Sequence, residues 1–168
     1  MTASAGPLVL LDTNIWLDYY LAGRAGHDAA FAIIDFMLCH EMAPLYAVSS
    51  IKDVFYIVRL GLKRAALSDP HCSGKLTPSQ LISAREGAWA CATHMQSIAT
   101  AVGADSSDVT FAIKQKGIHP DFEDDLVIAA CCRANADLLV TNDERFLRHC
   151  PVAALDARDA RAWMEARA

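Results

Sequence analysis

The chain is predicted to fold as an α/β protein: a three-layer α/β/α sandwich around a short parallel sheet of about four or five strands. Three observations predict this. Short runs of apolar residues, such as Leu8-Val9-Leu10-Leu11 and Leu138-Leu139-Val140, are apolar on both faces, as strands buried between two layers are. Between them lie stretches whose apolar residues recur three and four apart, the period of a helix with one buried face. No hairpin turn signal joins neighbouring runs, so successive strands connect by right-handed crossovers.

The chain has 168 residues, enough for one domain, 1–168, with a core that requires no disulfide or metal staple. Its formal charge of −5 argues against binding nucleic acid through a broad basic face. It leaves open an enzyme that holds phosphates through cations, because the acidic ligands of such a site push the charge negative. No stretch is long and apolar enough to span a membrane. Met1 to Pro7 has neither the basic nor the apolar region of a signal peptide. None of Cys39, Cys72, Cys91, Cys131, Cys132 and Cys150 forms a C-x-x-C pair, so buried, reduced thiols in a cytoplasmic protein are expected.

The first strand runs into Asp12. Thr13 and Asn14 turn or cap the helix that follows, from Asn14 to about Leu21, where Gly23 and Gly26 end it. An amphipathic helix follows from His27 to about His40. After Pro44, Leu45 to Val48 reads as the second strand. Ser49 or Ser50 then caps a helix from Ile51 to about Leu60. Ser68 to Ser79, with Pro70, Gly74 and Pro78, is a loop; Pro78 suits the first turn of a long helix reaching about Met95.

Ile98 to Val102 reads as the third strand, and Asp105, Ser106 or Ser107 caps the next helix. Gly117 to Pro120 is a turn. Phe122 to Asn135 is a helix, polar for one turn and then apolar all round. Asp137 to Thr141 is a strand, and Asn142 to Leu147 a turn and short helix. Val152 to Leu155 is the last strand, and Asp156 caps a terminal helix ending at Met164 or later.

Four acidic positions follow a strand or open a helix: Asp12, Asp53, the cluster Asp121, Glu123, Asp124 and Asp125, and Asp143. Capping accounts for acids taken singly. Ser50 and Asp53 have capping-box spacing, as do Asp121 and Asp124, and first-turn acids complement the helix dipole. Capping does not explain why two buried strands both run into Asp, at Leu11-Asp12 and at Val140-Thr141-Asn142-Asp143. Taken jointly, the acids suit a divalent cation. Hard ions such as Mg²⁺ and Mn²⁺ take oxygen ligands and relieve the repulsion of packed carboxylates.

Three stretches resemble the PIN-domain ribonucleases, the fold of the VapC-type toxins of bacterial toxin–antitoxin pairs. Leu10 to Leu17 resembles the family's opening strand with its first metal-binding Asp. Asp121-Phe122-Glu123-Asp124-Asp125-Leu126 resembles its D-F-E-D motif, and Ala136 to Asp143 its last core strand with a V-T-x-D turn. The likeness runs from about Leu8 to Leu155. It implies a metal-dependent endoribonuclease in which Asp12, Asp124 and Asp143 bind Mg²⁺ or Mn²⁺ and Asp53 orients water or completes the ligand set. The implied products carry a 5′ phosphate and a 3′ hydroxyl. Asn14 and Thr141 resemble positions that orient the carboxylates, with turn and cap chemistry as the alternative. The implied partners are an RNA substrate, a small antitoxin protein and a second copy of the chain.

Two departures stand out. The family often has Glu where this chain has Asp53, one methylene shorter and next to Lys52. On a helix Asp124 and Asp125 lie about 100° apart, so only one faces the site squarely. The rival enzyme is a haloacid-dehalogenase-type phosphatase, which needs an acid two residues after its first Asp, where this chain has Asn14. A receiver domain needs an acidic pair where Leu10-Leu11 stands. The rival from another class is a PIN fold that has lost catalysis and binds a protein or RNA partner.

Overall fold

The computed structural model describes residues 6–118 and 121–167; Met1 to Ala5, and part of the predicted Gly117–Pro120 turn, lie outside them. The strands are β1 (Val9–Leu11), β2 (Leu45–Ala47), β3 (Thr100–Val102), β4 (Leu138–Val140) and β5 (Ala154–Leu155). The helices are α1 (Thr13–Tyr20), α2 (His27–Cys39), α3 (Ser50–Leu67), α4 (Pro78–Ile98), α5 (Ser106–Gln115), α6 (Phe122–Ala134), α7 (Glu144–His149) and α8 (Ala157–Glu165). The sheet is parallel throughout, in the order β3-β2-β1-β4-β5. This is the α/β/α sandwich expected from the alternation of strands and helices.

Alternation along each strand builds the two covered faces. Val9 and Leu11 of β1, Tyr46 of β2, and Leu138 and Val140 of β4 enter one core with Ile15 and Trp16 of α1 and residues of α2, α3, α4 and α8. Leu10, Leu45, Ala47 and Leu139 point the other way, onto Val127, Ile128 and Cys131 of α6 and Phe146 of α7. The period of two along a strand makes one face unreachable without the other, so both had to be apolar. Trp16 is completely buried and meets Tyr46 edge-on, with ring centroids 6.2 Å apart. Core packing is therefore its use.

Strand order reverses between β1 and β4: the chain moves outward from β1 to β2 and β3 on one side, and from β4 to β5 on the other. The crevice beyond the carboxyl ends at such a switch point is where open α/β sheets bind ligands. The register Leu11↔Val140 brings Asp12 beside Thr141, and the Asp12 amide bonds the Val140 carbonyl at 2.9 Å.

Several boundaries differ from the sequence reading. α3 continues past Leu60 to Leu67 through Gly61, because it packs along α4 and closes on α1. A Cβ at Gly61 would stand 3.0 Å from Leu21 Cδ2, so the glycine permits that approach. α4 runs on to Ile98, and β3 starts only at Thr100. The expected Ser50–Asp53 capping box is absent: Ser49 occupies the cap without a side-chain bond, and Ser50 is bonded elsewhere. The six thiols are free, but only Cys131 is buried; Cys39 and Cys132 are exposed because they fall on the outer faces of α2 and α6.

Candidate active site

Asp12 is the N-cap residue of α1, yet its side chain makes no capping bond. It is 2% exposed, and its Oδ2 accepts from Thr141 Oγ1 at 2.7 Å and Asn14 Nδ2 at 3.2 Å. Burial holds the carboxyl above its ordinary range. The bonds from Thr141, the Thr13 amide and Asn14 oppose that shift, and the nearby charge of Asp143 adds to it. The pleat explains the direction: Leu11 and Val140 face the α1 core, so the next residues, Asp12 and Thr141, turn toward the α6 layer.

Asp143 reaches the same place from β4. It caps α7, its Oδ1 accepting from the Arg145 and Phe146 amides at 2.8 and 3.0 Å, while its own amide bonds Thr141 Oγ1 at 3.1 Å. Capping uses one carboxylate oxygen; Oδ2 has no hydrogen-bond partner among the described residues. Asp143 is thus both a cap and a member of the cluster.

The first turn of α6 supplies the third side. Asp121 is the cap, accepting from the Glu123 amide at 3.0 Å. Asp124 is half-buried, and its carboxyl is pushed up to about 7, first by burial and then by Asp12, Asp121, Asp143 and Glu123. The field around Asp124 therefore joins it to both strand-end acids. Asp125, one residue on, is buried at 1% exposure. Asp124 shares the cleft with Asp12 and Asp143.

Asp53 lies in the first turn of α3, partly exposed and paired with Lys52 at 3.2 Å. The α3 N-terminus is tied to the cleft by Thr13 Oγ1, which donates to Ser50 Oγ at 2.8 Å. Glu123 links Asp53 to the rest. Its carboxyl is raised by burial and by the charges of Asp53, Asp12 and Asp121, against a lowering by Lys52. In the sequence Glu123 belongs to the acidic cluster with nothing to distinguish its role. Three acids in one helical turn look alike until the direction of each side chain is known.

Five of the acids singled out in the sequence thus gather at one end of the sheet, in two subsets, with the cap Asp121 beside them. Asp12, Asp124 and Asp143 surround the β1–β4 crevice, while Asp53 approaches from α3 with Glu123 between. As donors they suit a hard cation: oxygen atoms only, with raised carboxyls at Asp12, Glu123 and Asp124 whose repulsion an ion would relieve. Among the described residues, no group of three or more His, Cys, Asp or Glu side chains is arranged so that it would hold an ion as it stands. The donor chemistry fits a metal; the side chains would have to draw together around it.

Fold and cleft together define a parallel α/β protein with a carboxylate cluster at the switch point of its sheet. The chain belongs to the PIN domain family, whose model matches residues 8–145. No curated protein matches the sequence. Among solved structures it is similar to VapC20 of Mycobacterium tuberculosis, described as a toxin that cleaves the sarcin–ricin loop. The TM-score is 0.58 at 13% identity, over 83% of this chain and 93% of that one. It is also similar to VapBC2 of Rickettsia felis, solved bound to a DNA fragment from its promoter, with a TM-score of 0.57 at 14% identity over 89% and 98%. A third is PAE2754 of Pyrobaculum aerophilum, with a TM-score of 0.59 at 14% identity over 97% and 94%. At these identities the likeness is one of fold. Among the described residues no helix is long and apolar enough to cross a membrane.

Proposed function

We propose that this chain is a single-domain, metal-dependent endoribonuclease and the toxin component of a toxin–antitoxin pair. The observation that carries the reading is the convergence of Asp12, Asp124 and Asp143 at the β1–β4 switch point of a PIN-family chain. Asp12, Asp124 and Asp143 would hold Mg²⁺ or Mn²⁺. When bound, such an ion lowers the pKa of water and offsets charge developing on a phosphoryl group.

The chain's own residues then have distinct tasks. Thr141 and Asn14 fix the Asp12 carboxylate by donating to Oδ2, so its orientation does not depend on the ion. Asp143 is held by the α7 amides and presents its other oxygen to the cleft. Asp53 and Glu123 orient the attacking water and accept its proton. Water attacks phosphorus, the P–O3′ bond breaks and the departing 3′ oxygen takes a proton from solvent, which leaves a 5′ phosphate and a 3′ hydroxyl.

A small antitoxin that covers the cleft, a second copy of the chain and a cytoplasmic location complete the proposal. The toxin description of VapC20, with VapBC2 among the similar structures, supports the first of these by analogy of fold. One observation favours the alternative of a PIN fold that binds without cleaving: Asp53 is short and already paired with Lys52. Incubation of purified protein with structured and single-stranded RNA, with Mg²⁺ or Mn²⁺, separates the two. Cleavage by wild type that Asp12→Asn abolishes supports the nuclease. Absence of cleavage, or full cleavage by Asp12→Asn, overturns it.

A further inference from the structure

Beside the acid cluster lies a cavity of about 740 Å³, within the range of roughly 300–1,000 Å³ usual for ligand sites. Asn14 and Asp143 form part of its wall, so it opens directly off the cleft. Across from them stand Arg24, from the α1–α2 connection, and Arg158, in the first turn of α8.

Arg24 is held in an unusual way. Its Nε bonds Oδ1 of Asp18, a carboxylate only 4% exposed. The other oxygen of Asp18 accepts from Asn142 Nδ2 at 2.8 Å, and Asn142 Oδ1 accepts from the Ala157 amide at 3.2 Å. His27 Nδ1 lies 2.9 Å from the Asp18 carbonyl oxygen. The network joins α1, the β4–α7 turn and the α8 N-terminus. At Gly26 any Cβ would overlap the Asp18 carboxylate and stand 2.8 Å from Asn142 Nδ2, so only glycine lets the chain close over the pair. All this orients one guanidinium through its Nε. Its two terminal nitrogens have no partner among the described residues, and the side chain, 39% exposed, lines the cavity. An arginine anchored at Nε with a free terminal fork suits bidentate binding of a phosphate. Arg158 likewise makes no side-chain bond or ion pair among the described residues.

We propose that this cavity seats the phosphate that flanks the scissile one in the RNA substrate, with Arg24 as the residue that binds it and Arg158 as a second cation. The assignment rests on the proposed ribonuclease reading, because it is the shared wall at Asp143 that sets the bound strand across the acid cluster. Asp18, Asp143, Glu144 and Asp156 also line the cavity, so it is no general basic surface. Binding there depends on one directed contact, and its signature is a salt dependence changed by about one phosphate.

The test measures binding of a labelled single-stranded RNA to the Asp12→Asn protein, at several salt concentrations, beside cleavage of the same RNA by wild type. Adding Arg24→Ala weakens binding about tenfold and flattens the salt slope by about one, and Arg158→Ala gives a smaller loss of the same kind. Arg24→Ala leaves Asp18 buried without its cation, so the pair Asp18→Asn with Arg24→Ala is measured alongside; it carries no lone buried charge and loses the same affinity. If wild type cleaves the RNA but both Arg24 variants bind it with unchanged affinity and slope, the phosphate seat is wrong and the nuclease reading stands. If wild type neither cleaves nor binds RNA, both fall.

Discussion

Thr141 Oγ1 donates to Asp12 Oδ2 at 2.7 Å, across 129 residues of sequence and with both side chains buried. The same hydroxyl accepts from the Asp143 amide at 3.1 Å. One side chain therefore sets the relative position of the acids that end β1 and β4. Thr141→Val keeps the shape and removes both bonds, leaving a buried carboxylate short of a donor. Urea unfolding at neutral pH is expected to show a loss of about 1–3 kcal/mol, with Thr141→Ser close to wild type.

The cluster makes the metal-free protein sensitive to pH. Asp124 has its carboxyl pushed up to about 7, against an ordinary value of 3.8. Between those values the folded state keeps a proton that the unfolded state has lost. Stability therefore falls as pH rises from about 4 to about 7, opposite in sign to an acid held by a salt bridge. Thermal unfolding in EDTA checks this. Asp124→Asn is expected to flatten the slope over that window and to melt above wild type at pH 8.

Glu123 shares its field with Asp53 and Asp12. Glu123→Gln removes one acid from the side of the cleft that lacks a strand-end carboxylate. The expected result is Mn²⁺ binding weakened about tenfold, read by calorimetry, with the fold intact by circular dichroism.

Gly26→Ala places a methyl group against Asp18 and Asn142. The ion pair to Arg24 must shift, and a loss of about 1–3 kcal/mol is expected on denaturant unfolding. Gly23→Ala, where nothing lies within 4 Å, serves as the control with little effect.

The strands and the acids behind them were legible because both faces of the sheet are covered. A buried strand reads as an unbroken apolar run, so a carboxylate that ends it is conspicuous, as Asp12 and Asp143 are. Asp121, Asp143 and Asp156 were equally legible as caps, since capping is local. The direction of Glu123 was not, because adjacent residues of one helical turn differ only by rotation. The course of α3 past Gly61 was hidden too: packing against α4 and α1 outweighs the weak helix propensity of glycine. The Arg24–Asp18–Asn142 network has no motif, joins residues 124 apart and depends on a missing Cβ, none of which periodicity reveals.

The most direct measurement is a Mn²⁺ titration of melting temperature on wild type and Asp12→Asn side by side. A cation that binds only the folded state adds about 2.7 kcal/mol at one hundred times its Kd. If Asp12, Asp124 and Asp143 form a metal centre, wild type rises with Mn²⁺ and Asp12→Asn does not. No rise in wild type, or an equal rise in both, contradicts a metal site at the end of β1.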